Sequence, residues 1–273
     1  MKYINFFFYD YETFGINVGL DKPAQFAYLI TNFKFKFFKK IKNIYCFPPL
    51  DYFPNPEAVL TNNITPQKTI KYGFNEYNFA KKIYNIMKTS NTCFIGFNNI
   101  SFDDEITRNL FYRNLFDPYA WSNANNNTRW DLLNISRAYY VLSYENIIWP
   151  KDKYQLPIFK LQKLTEVNHI THEDAHNAIS DVYATMLLTK FFYKKNKILF
   201  KYLFKYRKKK NLFKLIDFKN IKPFLYISSI FSNYYSNIGI IYPIAWHPAN
   251  KNILIAVDLM QDVRYLFSIK LFH

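Results

Sequence analysis

Asp10, Glu12, Asp103, His176 and Asp181 are the side chains of this sequence with which a phosphodiester could be cut. The four carboxylates supply hard oxygen ligands for a divalent cation, and the imidazole can carry a proton near neutral pH. Asp10 and Glu12 lie in Phe8-Tyr9-Asp10-Tyr11-Glu12-Thr13-Phe14, and Asp103 closes Asn98-Asn99-Ile100-Ser101-Phe102-Asp103. The last two bracket His176-Asn177-Ala178-Ile179-Ser180-Asp181.

Each fragment alone has an ordinary explanation. Two residues apart on a strand, Asp10 and Glu12 share a face, with Tyr11 on the other; a solvated strand end would look the same. Asp103, Asp104 and Glu105 suit a first helical turn, where acidic side chains meet the positive end of the helix dipole. That explains Asp104 and Glu105. It does not explain Phe102-Asp103 following Asn98-Asn99 at a strand's carboxyl end, where ligand sites gather in open α/β sheets. His176 and Asp181 are five apart, about 140° on a regular helix. To act together, His176 must stand at or before the helix start, with Asp181 in the first turns. His169, His172, His247 and His273 have no comparable context and receive no role.

The elements that must position these groups follow from periodicity. Residues 3–10 are an apolar, aromatic run that suits a buried strand with Asp10 at its far end. Strands are also expected at 24–31 and, from the alternation Phe33-Lys34-Phe35-Lys36-Phe37, at 33–47. Pro48, Pro49, Pro54 and Pro56 mark a loop. Thr65-Pro66 opens a helix over 65–71. A helix at 75–88, a short central strand at 92–97 and a helix at 102–115 follow. The Asn-rich stretch 123–127 reads as a loop, and helices are expected at 131–142, 159–168 and 176–194. Strands interspersed with helices, with three consecutive strands leading, predict an α/β fold with a mixed sheet. After about residue 195 the character changes: a very basic helix over 194–210 precedes strands at 223–230, 239–246 and 252–259. The division is placed between 1–195 and a second, strand-rich domain at 196–273.

Half of the 273 residues are hydrophobic and 21% aromatic, which excludes a disordered tail. A formal charge of +16 points to a polyanionic partner, nucleic acid before an anionic membrane. Only six of the 36 basic residues are Arg, and the abundant Lys, Asn, Ile, Phe and Tyr have A/T-rich codons, so mutational bias remains an alternative source of charge. Cys46 and Cys93 in apolar surroundings make neither a disulfide framework nor a zinc site. With no apolar stretch near the ~20 residues of a spanning helix, a soluble, cytoplasmic protein is expected.

Taken jointly, Asp-x-Glu, Phe-Asp after an Asn-rich strand end and His-x4-Asp on a late helix resemble the DEDD exonuclease superfamily in its histidine-bearing branch. The wording of Asp10-Tyr11-Glu12-Thr13-Phe14-Gly15, of Asp21-Lys22-Pro23-Ala24-Gln25-Phe26 and of Gly96 to Asn109 resembles the bacterial exodeoxyribonuclease I family. So do Phe111-Tyr112-Arg113-Asn114, Asp117-Pro118-Tyr119-Ala120-Trp121, Arg129-Trp130-Asp131-Leu132-Leu133, Asp181-Val182-Tyr183-Ala184-Thr185 and Ala245-Trp246-His247-Pro248.

The resemblance implies a ribonuclease-H-like exonuclease core followed by a partial SH3-like domain, inside which the chain stops, short of the helical domain that completes a clamp. It implies a 3′→5′ exodeoxyribonuclease that releases 5′-mononucleotides from single-stranded DNA in repair and recombination. Asp10, Glu12, Asp103 and Asp181 would hold two Mg²⁺ ions, and His176 would be the general base. Glu12 and Thr13 would lie beside the terminal nucleotide, and Arg108, Tyr119, Arg137 and Lys160 would touch the strand. Lys160 stands where the family has Arg, which turns a bidentate phosphate grip into a point charge. Asn63 stands for a turn glycine and Asn123 for an aromatic. A monomer is expected, with no membrane contact and with single-strand DNA-binding protein's acidic tail as a partner weakened by the early end. Two other readings stay open: an RNA-trimming or proofreading relative with the same five residues, and a decayed chain that only binds single strands.

Overall fold

The computed structural model describes residues 4–38, 40–173, 177–262 and 264. In chain order the elements are β1 (Asn5–Thr13), β2 (Pro23–Asn32), β3 (Lys42–Tyr45), α1 (Pro56–Asn62), α2 (Pro66–Tyr72), α3 (Glu76–Met87) and β4 (Thr92–Gly96). They continue with α4 (Asp103–Arg113), α5 (Ala120–Asn123), β5 (Thr128–Asp131), α6 (Leu132–Leu142), α7 (Leu161–Val167), α8 (Ala178–Lys195), α9 (Lys197–Tyr206) and α10 (Lys209–Leu212). Strands β6 (Phe224–Ile227), β7 (Ile238–Trp246) and β8 (Leu254–Asp258) close the described part.

Strict alternation along β1 explains why it sits at the centre. Phe6 and Phe8 point to one side of the sheet and join Leu29, Ile95, Val182, Met186 and Tyr139. Phe7, Tyr9 and Tyr11 point to the other and pack with Phe26, Phe94, Ile83, Ile106 and Phe111. Both faces are thus apolar, as a strand covered by helices on each side requires. Each fully buried ring contributes about 1.5–3 kcal/mol by area removed from water. The sheet order is β3-β2-β1-β4-β5, with β2 antiparallel to β1 and β3, and β4 parallel to β1 and β5. This is the mixed α/β sheet expected from the three leading strands.

The expected strand at 33–47 is a finding against alternation. Among its described residues only Lys42–Tyr45 is strand, apart from isolated bridges of Phe37 with Thr31 and of Cys46 with Phe74. The Asn32 side chain accepts the backbone N–H groups of Lys34 (2.9 Å) and Lys36 (3.0 Å), and Phe35 takes a left-handed φ of 59°. A local turn therefore outcompetes the ladder. It delivers Phe33 and Phe35 to the same ring, Phe6, at centroid distances of 5.3 and 5.5 Å.

Two further elements differ. The proline loop contains α1, capped by Asn55, with Pro56 at its first position. The basic helix expected over 194–210 is broken at Asn196, which ends α8 and caps α9 through Leu199 N–H at 2.9 Å. The break lets α9 fold back, and its Phe200 and Phe204 pack on Trp130 and Phe33. Strands β6, β7 and β8 make a separate antiparallel sheet in the order β6-β7-β8, as the pattern after residue 195 predicts. Among the described residues no helix is long and apolar enough to cross a membrane.

Candidate active site and metal centre

The site is built at the carboxyl end of β1 and β4. Pairing of β1 with β4 stops at Phe8 and Ile95, whereas β1 runs on to Thr13. Asp10 and Glu12 therefore project past the end of β4, on the same face as Phe6 and Phe8, while Tyr11 is buried on the other. The helix packed across that face is α8, and Asp181 lies in its first turn, its N–H on the carbonyl of the capping Asn177 at 3.0 Å. Carboxylate oxygens of Asp10, Glu12 and Asp181 lie within 4.8 Å of one another.

Asp103 arrives from the β4–α4 loop. Its Oδ1 accepts the backbone N–H of Tyr11 at 2.9 Å, which ties it directly to the strand carrying Asp10 and Glu12. The loop before it is fixed by two other buried carboxylates. Asp131 accepts the N–H groups of Asn98 (3.0 Å), Ile100 (3.4 Å) and Leu133 (2.9 Å), so it caps α6 and pins the loop together. Asp104 receives the Tyr9 hydroxyl, Asn99 Nδ2 at 3.1 Å and Arg129 Nη1 at 2.5 Å. Gly96 permits this folding back: a Cβ there would stand 2.6 Å from the Asn99 Cβ and 3.3 Å from the Tyr9 carbonyl.

The electrostatics are those of a crowded anionic site. Burial pushes the Asp10 carboxyl well above its ordinary value, and the charges of Asp103, Glu12 and Asp181 push it further. Burial, then Asp181 and Asp103, raise Glu12 from 4.5 to about 8. Asp103 is raised by burial, opposed by the Tyr11 N–H and reinforced by Asp104. Among the described residues no Lys or Arg forms an ion pair with any of the four site carboxylates. An all-oxygen, mutually repelling set of this kind fits a hard divalent cation, since soft thiolate ligands are absent and both cysteines are buried in the core.

His176 lies outside the described residues. Asp181, five residues further on, stands in the first turn of α8. A different histidine reaches Asp181: His172 Nε2 is 2.5 Å from Asp181 Oδ1. Sequence reasoning gave His172 no role, because it stands nine positions before Asp181 with no periodic signal to link the two.

The residues expected along the strand path lie on β1, α4 and α6 and at the entries to α5 and α7. Thr13 is buried at the end of β1, with Oγ1 on the Gly15 carbonyl at 2.5 Å. Arg108 pairs with Glu105 on α4 and its guanidinium lies 5.5 Å from the centroid of the exposed Tyr119 ring. Arg137 on α6 donates to Asn134 and lies 5.9 Å from the Phe159 ring, and desolvation lowers its pKa. Lys160 is exposed at the entry to α7. The Nε atoms of Arg108 and Arg137 are buried without a protein partner, donors that a phosphate could use.

Comparison with known proteins adds to this geometry. A family model described as exonuclease matches residues 7–189, and one described as the exonuclease I SH3-like domain matches residues 207–271. Exodeoxyribonuclease I of Buchnera aphidicola from the aphid Acyrthosiphon pisum is 55% identical over 264 residues, 97% of this chain and 64% of that protein. The zinc-bound form of the Escherichia coli exonuclease I–single-stranded DNA complex superposes with a TM-score of 0.92 at 45% identity, over 97% of this chain and 57% of that one. An ExoI/SSB-Ct complex matches with a TM-score of 0.92 at 45% identity over the same shares. The chain thus spans about three-fifths of the length of these relatives.

Proposed function

Because this chain belongs to the exonuclease family, we propose that it hydrolyses single-stranded DNA from the 3′ end and releases 5′-mononucleotides. The observation that carries the proposal is the convergence of Asp10, Glu12 and Asp181 oxygens within 4.8 Å, with Asp103 tied to the same strand. A water oxygen attacks phosphorus, the bond to the 3′-oxygen breaks, and that oxygen leaves in line with a proton from solvent. Two Mg²⁺ ions held by Asp10, Glu12, Asp103 and Asp181 would supply charge neutralisation at the attacking and leaving oxygens. His176 accepts the proton of the attacking water, a task suited to a group that titrates near working pH.

Strand recognition falls to groups around the site. Glu12 and Thr13 flank the terminal nucleotide. Arg108, Arg137 and Lys160 meet phosphates, and Tyr119 offers an exposed ring for a base. Cations on the backbone and stacking on the bases give binding that tolerates any sequence. The charge of +16 favours the same polyanion. We assign residues 1–195 to catalysis and 196–273 to the SH3-like accessory unit, a cytoplasmic place in DNA repair, a monomeric state, and the tail of single-strand DNA-binding protein as a partner. The solved ExoI/SSB-Ct complex of a similar chain supports that last assignment.

The test uses a single-stranded oligonucleotide labelled at either end, incubated with wild-type and Asp181→Ala protein, with and without Mg²⁺. Mononucleotide release from the 3′ label first, lost in the variant and without metal, is expected. Preferential digestion of a matched RNA would move the chain to the RNA-trimming reading. Binding without Mg²⁺-dependent cleavage would leave only a binding protein.

A further inference from the structure

The carboxylates of the site come from different elements, and they differ in how firmly they are held. Asp10 and Glu12 are set by the backbone of a central strand with neighbours on both sides. Asp103 is fixed by the Tyr11 N–H. Asp181 stands on a helix and crosses the gap to the sheet by its side chain alone. Its two side-chain torsions would let the carboxylate swing away from Asp10 and Glu12, toward which it is repelled. Something must hold it.

His172 does so in the structure. Its ring is almost fully buried, with 3% of the side chain exposed, and Nε2 meets Asp181 Oδ1 at 2.5 Å. An ionised carboxylate only accepts, so Nε2–H is the donor. The opposite nitrogen, Nδ1, lies 3.0 Å from Thr165 Oγ1. Thr165 is itself fully buried on α7, with Oγ1 at 3.0 Å from the Leu161 carbonyl and 2.9 Å from that of Gln162. A relay therefore runs from α7 through Thr165 and His172 to Asp181 on α8, and those two helices pack together. A carboxylate offers about four lone-pair directions, so one bond to Nε2 fixes the plane of the group and leaves capacity for a cation.

We propose that His172 is a positioning residue for metal binding, one that orients the Asp181 carboxylate through Nε2–H while Thr165 sets the ring. The inference rests on the reading of Asp181 as a cation ligand. It gives His172 a task distinct from that of His176. The groups that fix the orientation of a ligating side chain typically cost 10–100-fold in metal affinity when removed.

The experiment measures Mn²⁺ binding to the full chain by electron paramagnetic resonance, with DNA absent, alongside cleavage kinetics. Wild type, Asp10→Asn, His172→Ala, His172→Gln and Thr165→Val are compared. His172→Ala is expected to weaken Mn²⁺ about tenfold, and to restore most of kcat at saturating metal with KM for DNA unchanged. His172→Gln, whose amide N–H can stand at the Nε2 position, is expected to bind Mn²⁺ within about threefold of wild type. Thr165→Val falls between them. Gln rescue is the outcome a purely packing role would not produce, and it stays informative if His172→Ala melts early. Wild-type Mn²⁺ affinity in His172→Ala, or a Gln variant that folds yet binds as weakly as Ala, would overturn the positioning role while leaving the metal centre intact. Wild-type protein that binds no Mn²⁺, or binding insensitive to Asp10→Asn, would overturn the metal centre itself, and this inference with it.

Discussion

Raising the pH should weaken the metal-free protein, and Glu12 should carry a share of the effect beside Asp10 and Asp103, which are raised as well. The Glu12 carboxyl is raised from 4.5 to about 8 by burial and by the charges of Asp181 and Asp103. Between those values the folded chain keeps a proton that the unfolded chain has released. Stability from this group is then complete below about pH 4.5 and is lost as pH rises through about 8. An interval of about 3.5 pH units is worth at most about 5 kcal/mol. Solvent reaches part of Glu12, so a loss of about 2–3 kcal/mol between pH 5 and 9 is the working figure. For a chain of this size that is a fall in Tm of about 4–12 °C. The assay is thermal unfolding in EDTA across that range, repeated for Glu12→Gln and then with excess Mg²⁺. Glu12→Gln should reduce the slope, because its amide carries no proton to lose, and leave the part that Asp10 and Asp103 contribute. Mg²⁺ should raise Tm most at high pH, where the ligands are already ionised; at 100 times Kd the gain is about 2.7 kcal/mol. Equal slopes for wild type and Glu12→Gln would refute the reasoning.

Other perturbations test the supports of the site. Gly96→Ala places a Cβ 2.6 Å from Asn99 and should cost about 1–3 kcal/mol, read by urea unfolding; an unchanged midpoint would show that the loop shifts freely. Arg129→Leu strips Asp104, which is fully buried, of its ion pair and should cost about 3 kcal/mol, largely recovered by adding Asp104→Asn; no recovery would mean the arginine acts by packing. Tyr119→Ala removes an exposed ring and should weaken single-strand binding by about 1–3 kcal/mol in fluorescence anisotropy, with kcat little changed; intact affinity would take Tyr119 off the strand path.

Much of the site was legible because strand and helix periods are rigid rules. Alternation alone placed Asp10 and Glu12 together and opposite Tyr11, and the Asn-rich strand end before Asp103 marked the loop that folds back on β1. What escaped was local competition and long-range contact. Phe33 to Phe37 alternates like a strand, yet the Asn32 side chain turns the chain and sends two rings into one core. Helix α1 buries only Asn62, so no apolar period announces it. Strand β5 has four residues, too few for alternation to register before α6 begins. The supporting roles of Asp104, Asp131 and His172 rest on partners 25, 33 and nine residues away, which no local pattern encodes.

The central claim is that carboxylates from β1, the start of α4 and α8 surround one cation-binding centre. Anomalous diffraction from crystals soaked in Mn²⁺ tests it most directly. The account predicts strong peaks within ligand distance, about 2.0–2.4 Å, of Asp10, Glu12 and Asp181 oxygens, absent in Asp181→Asn. Well-ordered carboxylates with no peak between them, or a peak held by other residues, would contradict it.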